Sequence, residues 1–114
     1  MPADTILVVA SDAELRRSIE FALEAEGYLV SSHARLSDAA ISSAISVAAC
    51  VVVDEDSLQN LVDWGMLSRL TKPTVLLADR SERLPATDAA RILFKPLLGN
   101  ALVETVHDAV PSHT

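Results

Sequence analysis

Short apolar runs closed by polar residues set the pattern of this chain. Thr5 to Val9 reads TILVV and stops at Ser11-Asp12, and Ala48 to Val53 reads AACVVV and stops at Asp54-Glu55-Asp56. Five or six residues are too few for an amphipathic helix. The valines are β-branched, so both runs read as strands buried on both faces. Thr74 to Ala78 (TVLLA, opened by Pro73) and Arg91 to Phe94 (RILF, followed by Lys95-Pro96) read as two more strands. Tyr28 to Ser32 is a shorter one whose polar finish suits a sheet edge.

Helical periods fill the gaps. Leu15, Ile19, Ala22 and Leu23 recur at i, i+4, i+7 and i+8, with Arg16, Arg17, Glu20 and Glu24 on the other side. Ser11 or Asp12 can cap this helix and Gly27 can end it. A weaker helix starts at Ser37-Asp38 and runs through Ala39, Ala40, Ile41, Ala44 and Ile45. A further one is predicted from about Ser57 to Leu70, with Leu58, Leu61, Val62, Met66 and Leu70 as its core stripe and Trp64 and Leu67 outside that arc. Residues 79–88 carry charge, Ser and Pro85 without a helical period and read as loop with at most one helical turn. The last helix carries Leu98, Leu102, Val103, Val106, Ala109 and Val110 and stops before Pro111.

A strand–helix repeat with connections this long predicts right-handed crossovers and a parallel sheet covered by helices on both faces. The expectation is one α/β domain over 1–114: a doubly wound sheet of five strands with a shortened or missing fourth helix. In such sheets ligands bind just beyond the carboxyl ends of the strands, and Asp54 stands at that end of the most apolar run. On local pattern Asp54 is either a helix N-cap or a site residue; both stay open.

Composition narrows the choice. Half of the 114 residues are hydrophobic and the mean hydropathy is +0.31, which argues for a packed core. Sixteen acids against nine Lys and Arg give a net charge of −7, which disfavours direct binding to nucleic acid. A lone Cys50 inside a strand makes no internal disulfide and reads as a core residue in a reducing compartment. No apolar run approaches membrane-spanning length, and Met1-Pro2-Ala3-Asp4 lacks the basic start of a signal peptide, so a cytoplasmic protein is expected. His33, His107 and His113 have no neighbouring Cys or paired acids and read as surface histidines. Nothing resembles a phosphate-binding Gly-rich loop, a nucleophile elbow or a zinc spacing.

Several stretches nevertheless resemble the receiver domain of bacterial two-component response regulators. These are ILVV running into ASD, the helix DAELRRSIEFALEAEGY, the strand VVVD, and LFKPL with its Lys-Pro junction. The resemblance covers nearly the whole chain and implies the flavodoxin-like fold with strand order 2-1-3-4-5. It implies that Asp54 matches the phosphoacceptor, a carboxylate that attacks a phosphoryl group carried by a histidine kinase. Lys95 matches the lysine that holds a phosphoryl oxygen, with Pro96 behind it as a cis-proline. Mg²⁺ is the cofactor the family uses, held by acids at the pocket.

The chain departs from that pattern where the switch should be. The first strand's acidic pair falls on Ala10 and Ser11, and Asp12 stands one place late. The fourth-strand hydroxyl falls on Ala78 and the aromatic switch on Ile92. Asp12, Asp54 and Asp56 are the acids left for a rearranged metal site. Alternatively, Asp54 and Lys95 form an ion pair that holds the domain together. The resemblance therefore implies a degenerate receiver-like module, not an enzyme, that binds a histidine kinase or another signalling protein without phosphorylation. The alternative is a working phosphoacceptor on Asp54. A monomer or weak dimer is expected.

Overall fold

A computed structural model of the chain describes residues 4–36, 41–58, 65–67, 69–78, 90–95 and 100–110. Its elements are β1 (Thr5–Val9), α1 (Ala13–Ala25), β2 (Leu29–His33), α2 (Ile41–Val47), β3 (Cys50–Asp54), β4 (Thr74–Ala78), β5 (Ala90–Phe94) and α3 (Ala101–Ala109). The strands form one parallel sheet in the order β2-β1-β3-β4-β5. Every residue of β3 and β4 is buried, as unbroken apolar runs require in a sheet covered on both faces. β2 lies at one edge, and its LVSSH sequence is accordingly half-exposed.

Strand alternation sends successive side chains to opposite faces and divides the core in two. Ile6, Val8, Cys50, Val52, Val75 and Leu77 pack under Ile19 and Leu23 of α1 and Leu102, Val106 and Ala109 of α3. Leu7, Val9, Val51, Val53 and Leu76 pack on the other side with Leu36, Ala48, Leu58 and Leu67. Asp12 caps α1, its carboxylate accepting the Glu14 amide at 2.9 Å. Gly27 turns the chain out of that helix at φ +94°, a left-handed conformation that glycine adopts without strain.

One expectation needs correcting. Ser57 does not open an α-helix. Glu55–Ser57 form a 3₁₀ turn that closes with the Leu58 amide on the Glu55 carbonyl, and Leu58 leaves helical geometry at φ −98°, ψ 88°. The buried Ser57 hydroxyl donates to the Asp54 carbonyl at 2.7 Å, a side-chain bond that competes with helix propagation. Leu67, placed outside the core stripe by periodicity, is 6% exposed and belongs to the second core layer. Residues 65–67 are helical. Leu61, Val62, Trp64, Pro96 and Leu98, the helix start at 37–38, and the 79–88 segment read as loop in place of a fourth helix lie outside the described residues.

Candidate functional site

In a parallel sheet the carboxyl ends of all strands share one rim, and register decides which residues meet there. Asp54 pairs with Leu77 and Leu77 with Leu93, so Asp54 ends β3 while Lys95 follows directly after β5. Asp54 keeps the parity of Val52 and Lys95 that of Leu93, which puts both on the α1–α3 face of the sheet. Two strand spacings of about 4.8 Å separate their backbones, a gap that a four-carbon lysine stem can cross. Lys95 crosses it: its Nζ donates to Asp54 Oδ1 at 2.7 Å. The Asp54 side chain is fully buried and that of Lys95 is 17% exposed. The Lys95 amide also donates to the Ala78 carbonyl at 2.9 Å, fixing the start of the side chain that reaches over.

A second carboxylate comes from the 3₁₀ turn. Asp56 Oδ2 lies 3.4 Å from the same ammonium, with its side chain 62% exposed. Lys95 thus bridges one buried and one solvated acid. The buried contact dominates, because it is shorter and lies in lower dielectric.

The end of β1 is organised differently. Ala10 is fully buried and Ser11 is exposed, so neither brings charge to the rim. The Ser11 hydroxyl faces the Asp56 carbonyl at 3.5 Å, tying the β1 exit to the turn after β3. Arg16, read from the sequence as part of the solvated face of α1, folds back and donates from Nη1 to the Ala10 carbonyl at 2.7 Å. Spacing gave no signal for this contact, since helix periodicity describes the helix and not the strand end beside it. Asp12 is exposed and engaged as the cap of α1.

The remaining sequence candidates sit apart from Lys95. Ala78 is fully buried and ends β4, and Ile92, on β5, is 38% exposed. His33 ends β2 with Nε2 3.3 Å from the Ser31 hydroxyl, and His107 lies exposed on α3. His113 lies outside the described residues.

Among the described residues no group of three or more His, Cys, Asp or Glu side chains is arranged to hold a metal ion. The donor set fits a resident Mg²⁺ poorly. Asp54 and Asp56 are both drawn onto Lys95, and the neighbouring strand offers an alanine and a serine in place of further carboxylates.

Transcriptional regulator protein FixT of Rhizobium meliloti (strain 1021) is 37% identical over 111 residues, spanning 93% of this chain and 92% of that protein. The chain belongs to the FixT family. Its fold is that of a receiver domain. A response regulator receiver domain protein from Bacillus halodurans C-125 superposes with a TM-score of 0.78 at 16% identity, covering 96% of this chain and 99% of that one. Chemotaxis protein CheY4 of Vibrio cholerae gives 0.75 at 17% identity over 95% and 99%. A response regulator receiver protein from Sinorhizobium medicae WSM419 gives 0.74 at 21% over 94% of each. At these identities the solved structures speak for the fold. No protein-family model matches the chain.

Proposed function

We propose that this member of the FixT family is a phosphorylation-independent protein-interaction module in cytoplasmic two-component signalling, monomeric or weakly dimeric and not itself an enzyme. Its partner is a histidine kinase or another signalling protein. The observation that carries this reading is the Lys95 ammonium held against buried Asp54 at 2.7 Å and against Asp56 at 3.4 Å. Phosphoryl transfer to a carboxylate needs an accessible oxygen and a cation that neutralises the incoming charge. Here the chain's own lysine already neutralises the carboxylate.

Coupling is the second requirement. A covalent mark moves a domain only if its two states make different contacts with the new charge. Ala78 has no hydroxyl to follow a phosphoryl group, and Ile92 has no ring to swing. The FixT relative is called a transcriptional regulator. With a net charge of −7, an effect of this chain on transcription would run through a protein, since phosphate backbones repel it.

A working phosphoacceptor is the second reading, supported by the retention of Asp54 at the end of β3 with Lys95 beside it. It would use Asp12, Asp54 and Asp56 as a rearranged Mg²⁺ set. One experiment separates the two. Amide spectra of the labelled chain are recorded with Mg²⁺ alone and with Mg²⁺ and beryllium fluoride, for the natural chain and for Asp54→Asn. Interaction without phosphorylation predicts no saturable shift at Ala78, Ile92 or Lys95 in any condition. Shifts that saturate at low-millimolar Mg²⁺ or with the phosphate mimic, and vanish in Asp54→Asn, would establish the phosphoacceptor instead.

A further inference from the structure

Two adjoining cavities lie between α1 and α3, on the face of the sheet that these two helices cover. One, of ≈ 520 Å³, is lined chiefly by Leu15, Phe21, Ala22, Leu102 and Val103. The other, of ≈ 560 Å³, is lined by Glu26, Tyr28, Val103, Glu104, His107 and Asp108. Glu26 and Val103 line both, so the two form one groove with an apolar end and an acidic end. Phe21 is 76% exposed, the most exposed of the large apolar side chains described. At the acidic end Tyr28 Oη and His107 Nδ1 stand 3.4 Å apart and tie the start of β2 to α3. Among the described residues no Lys or Arg lines either cavity.

From this polarity we infer that the groove between α1 and α3 receives an amphipathic helix of a partner protein. The helix carries one apolar stripe for Phe21 and Val103 and lysine or arginine at the end that meets Glu26, Glu104 and Asp108. The inference rests on the interaction-module reading above and names the surface and the chemistry of its partner. Helices dock into such grooves through anchors at i, i+3 or i+4, and i+7. A cation at the acidic end meets the carboxylates of Glu26, Glu104 and Asp108. Charge complementarity also decides against the other occupants. A nucleic acid or an anionic membrane surface is repelled by the carboxylates. A second copy would set one net charge of −7 against another.

The test uses the full labelled chain and two synthetic helical peptides. Both have the same leucine stripe; one ends in arginines and its twin ends in glutamates. The arginine peptide should give saturable shifts centred on Phe21, Val103 and His107 and bind at least about tenfold tighter than its twin, a difference worth about 1.4 kcal/mol. Its affinity should fall as salt shortens the screening length. Phe21→Ala, and Glu26→Lys with Glu104→Lys, should each weaken it about tenfold or more. Equal binding of both peptides overturns the inference, as do shifts centred on Ile92 and Phe94 or no saturable shift up to about 1 mM. Shifts of the groove amides with protein concentration alone would make the occupant a second copy and also overturn it. Repeating the titration with acetyl phosphate and Mg²⁺ separates this idea from the reading beneath it. Groove binding that appears only then sustains the groove and defeats phosphorylation-independence. Binding absent in both conditions defeats the groove alone.

Discussion

Lys95 and its two acids show how burial decides the weight of a contact. Removing the lysine takes the opposite charge away from a fully buried carboxylate, whereas removing Asp54 leaves an ammonium that is still partly solvated and still has Asp56 within reach. Lys95→Met should therefore cost about 3–5 kcal/mol in urea unfolding. Asp54→Asn should cost less, about 1–2 kcal/mol, and Asp56→Asn under about 1 kcal/mol. Equal losses for Lys95→Met and Asp56→Asn would show that the solvated contact carries the pair. Cys50 is the other residue whose surroundings set its chemistry. Burial pushes its thiol from 9.0 up to about 11, opposed in part by Arg91 and by a backbone hydrogen bond to Val51. The folded chain holds this proton more tightly than the unfolded one. Its contribution to stability is therefore full below pH 9.0 and is lost as pH rises through about 11. Tyr28, raised first by burial and then by Asp4, pulls the same way. Cys50→Ala should flatten the alkaline fall of the melting temperature, and an unchanged slope would assign that fall to other groups.

At the scale of elements, what could be read from the sequence follows from how each segment is buried. β1, β3 and β4 are covered on both faces, so their apolar runs are unbroken and unmistakable. β2 shows its edge position through its serines. The turn after β3 could not be read, because Ser57 prefers the Asp54 carbonyl to a helical role and periodicity does not weigh that competition. Arg16 escaped for a related reason: its partner, the Ala10 carbonyl, belongs to a strand end and not to the helix pattern. The Asp54–Lys95 contact joins residues 41 apart, and only the family resemblance brought them together beforehand. Asp12 offers a test of element against site. As the cap of α1 it should cost about 1 kcal/mol when changed to alanine and a few tenths when changed to asparagine, which caps equally well. Denaturant midpoints for the two variants measure this. A loss for Asp12→Asn as large as for Asp12→Ala would point to a role that needs the charge.

The whole molecule carries a net charge of −7, and among the described residues acids stand at the β3 rim and along the α1–α3 groove. Fluorescence anisotropy with labelled duplex DNA should show no saturable binding at about 0.15 M salt, where the screening length is about 8 Å. Tight binding there would mean that a local cluster of cations outweighs the net charge of −7. One further consequence comes from the lysine bridge. A receiver whose acid is answered by a metal and a phosphoryl group has two settings, and a cell chooses between them by chemistry. On the proposed reading, Lys95 answers that acid within the chain itself and leaves the domain one setting. Control of such a module passes to its copy number. Partner occupancy then follows synthesis and turnover by mass action, and a tenfold change in abundance does the work of about 1.4 kcal/mol of affinity.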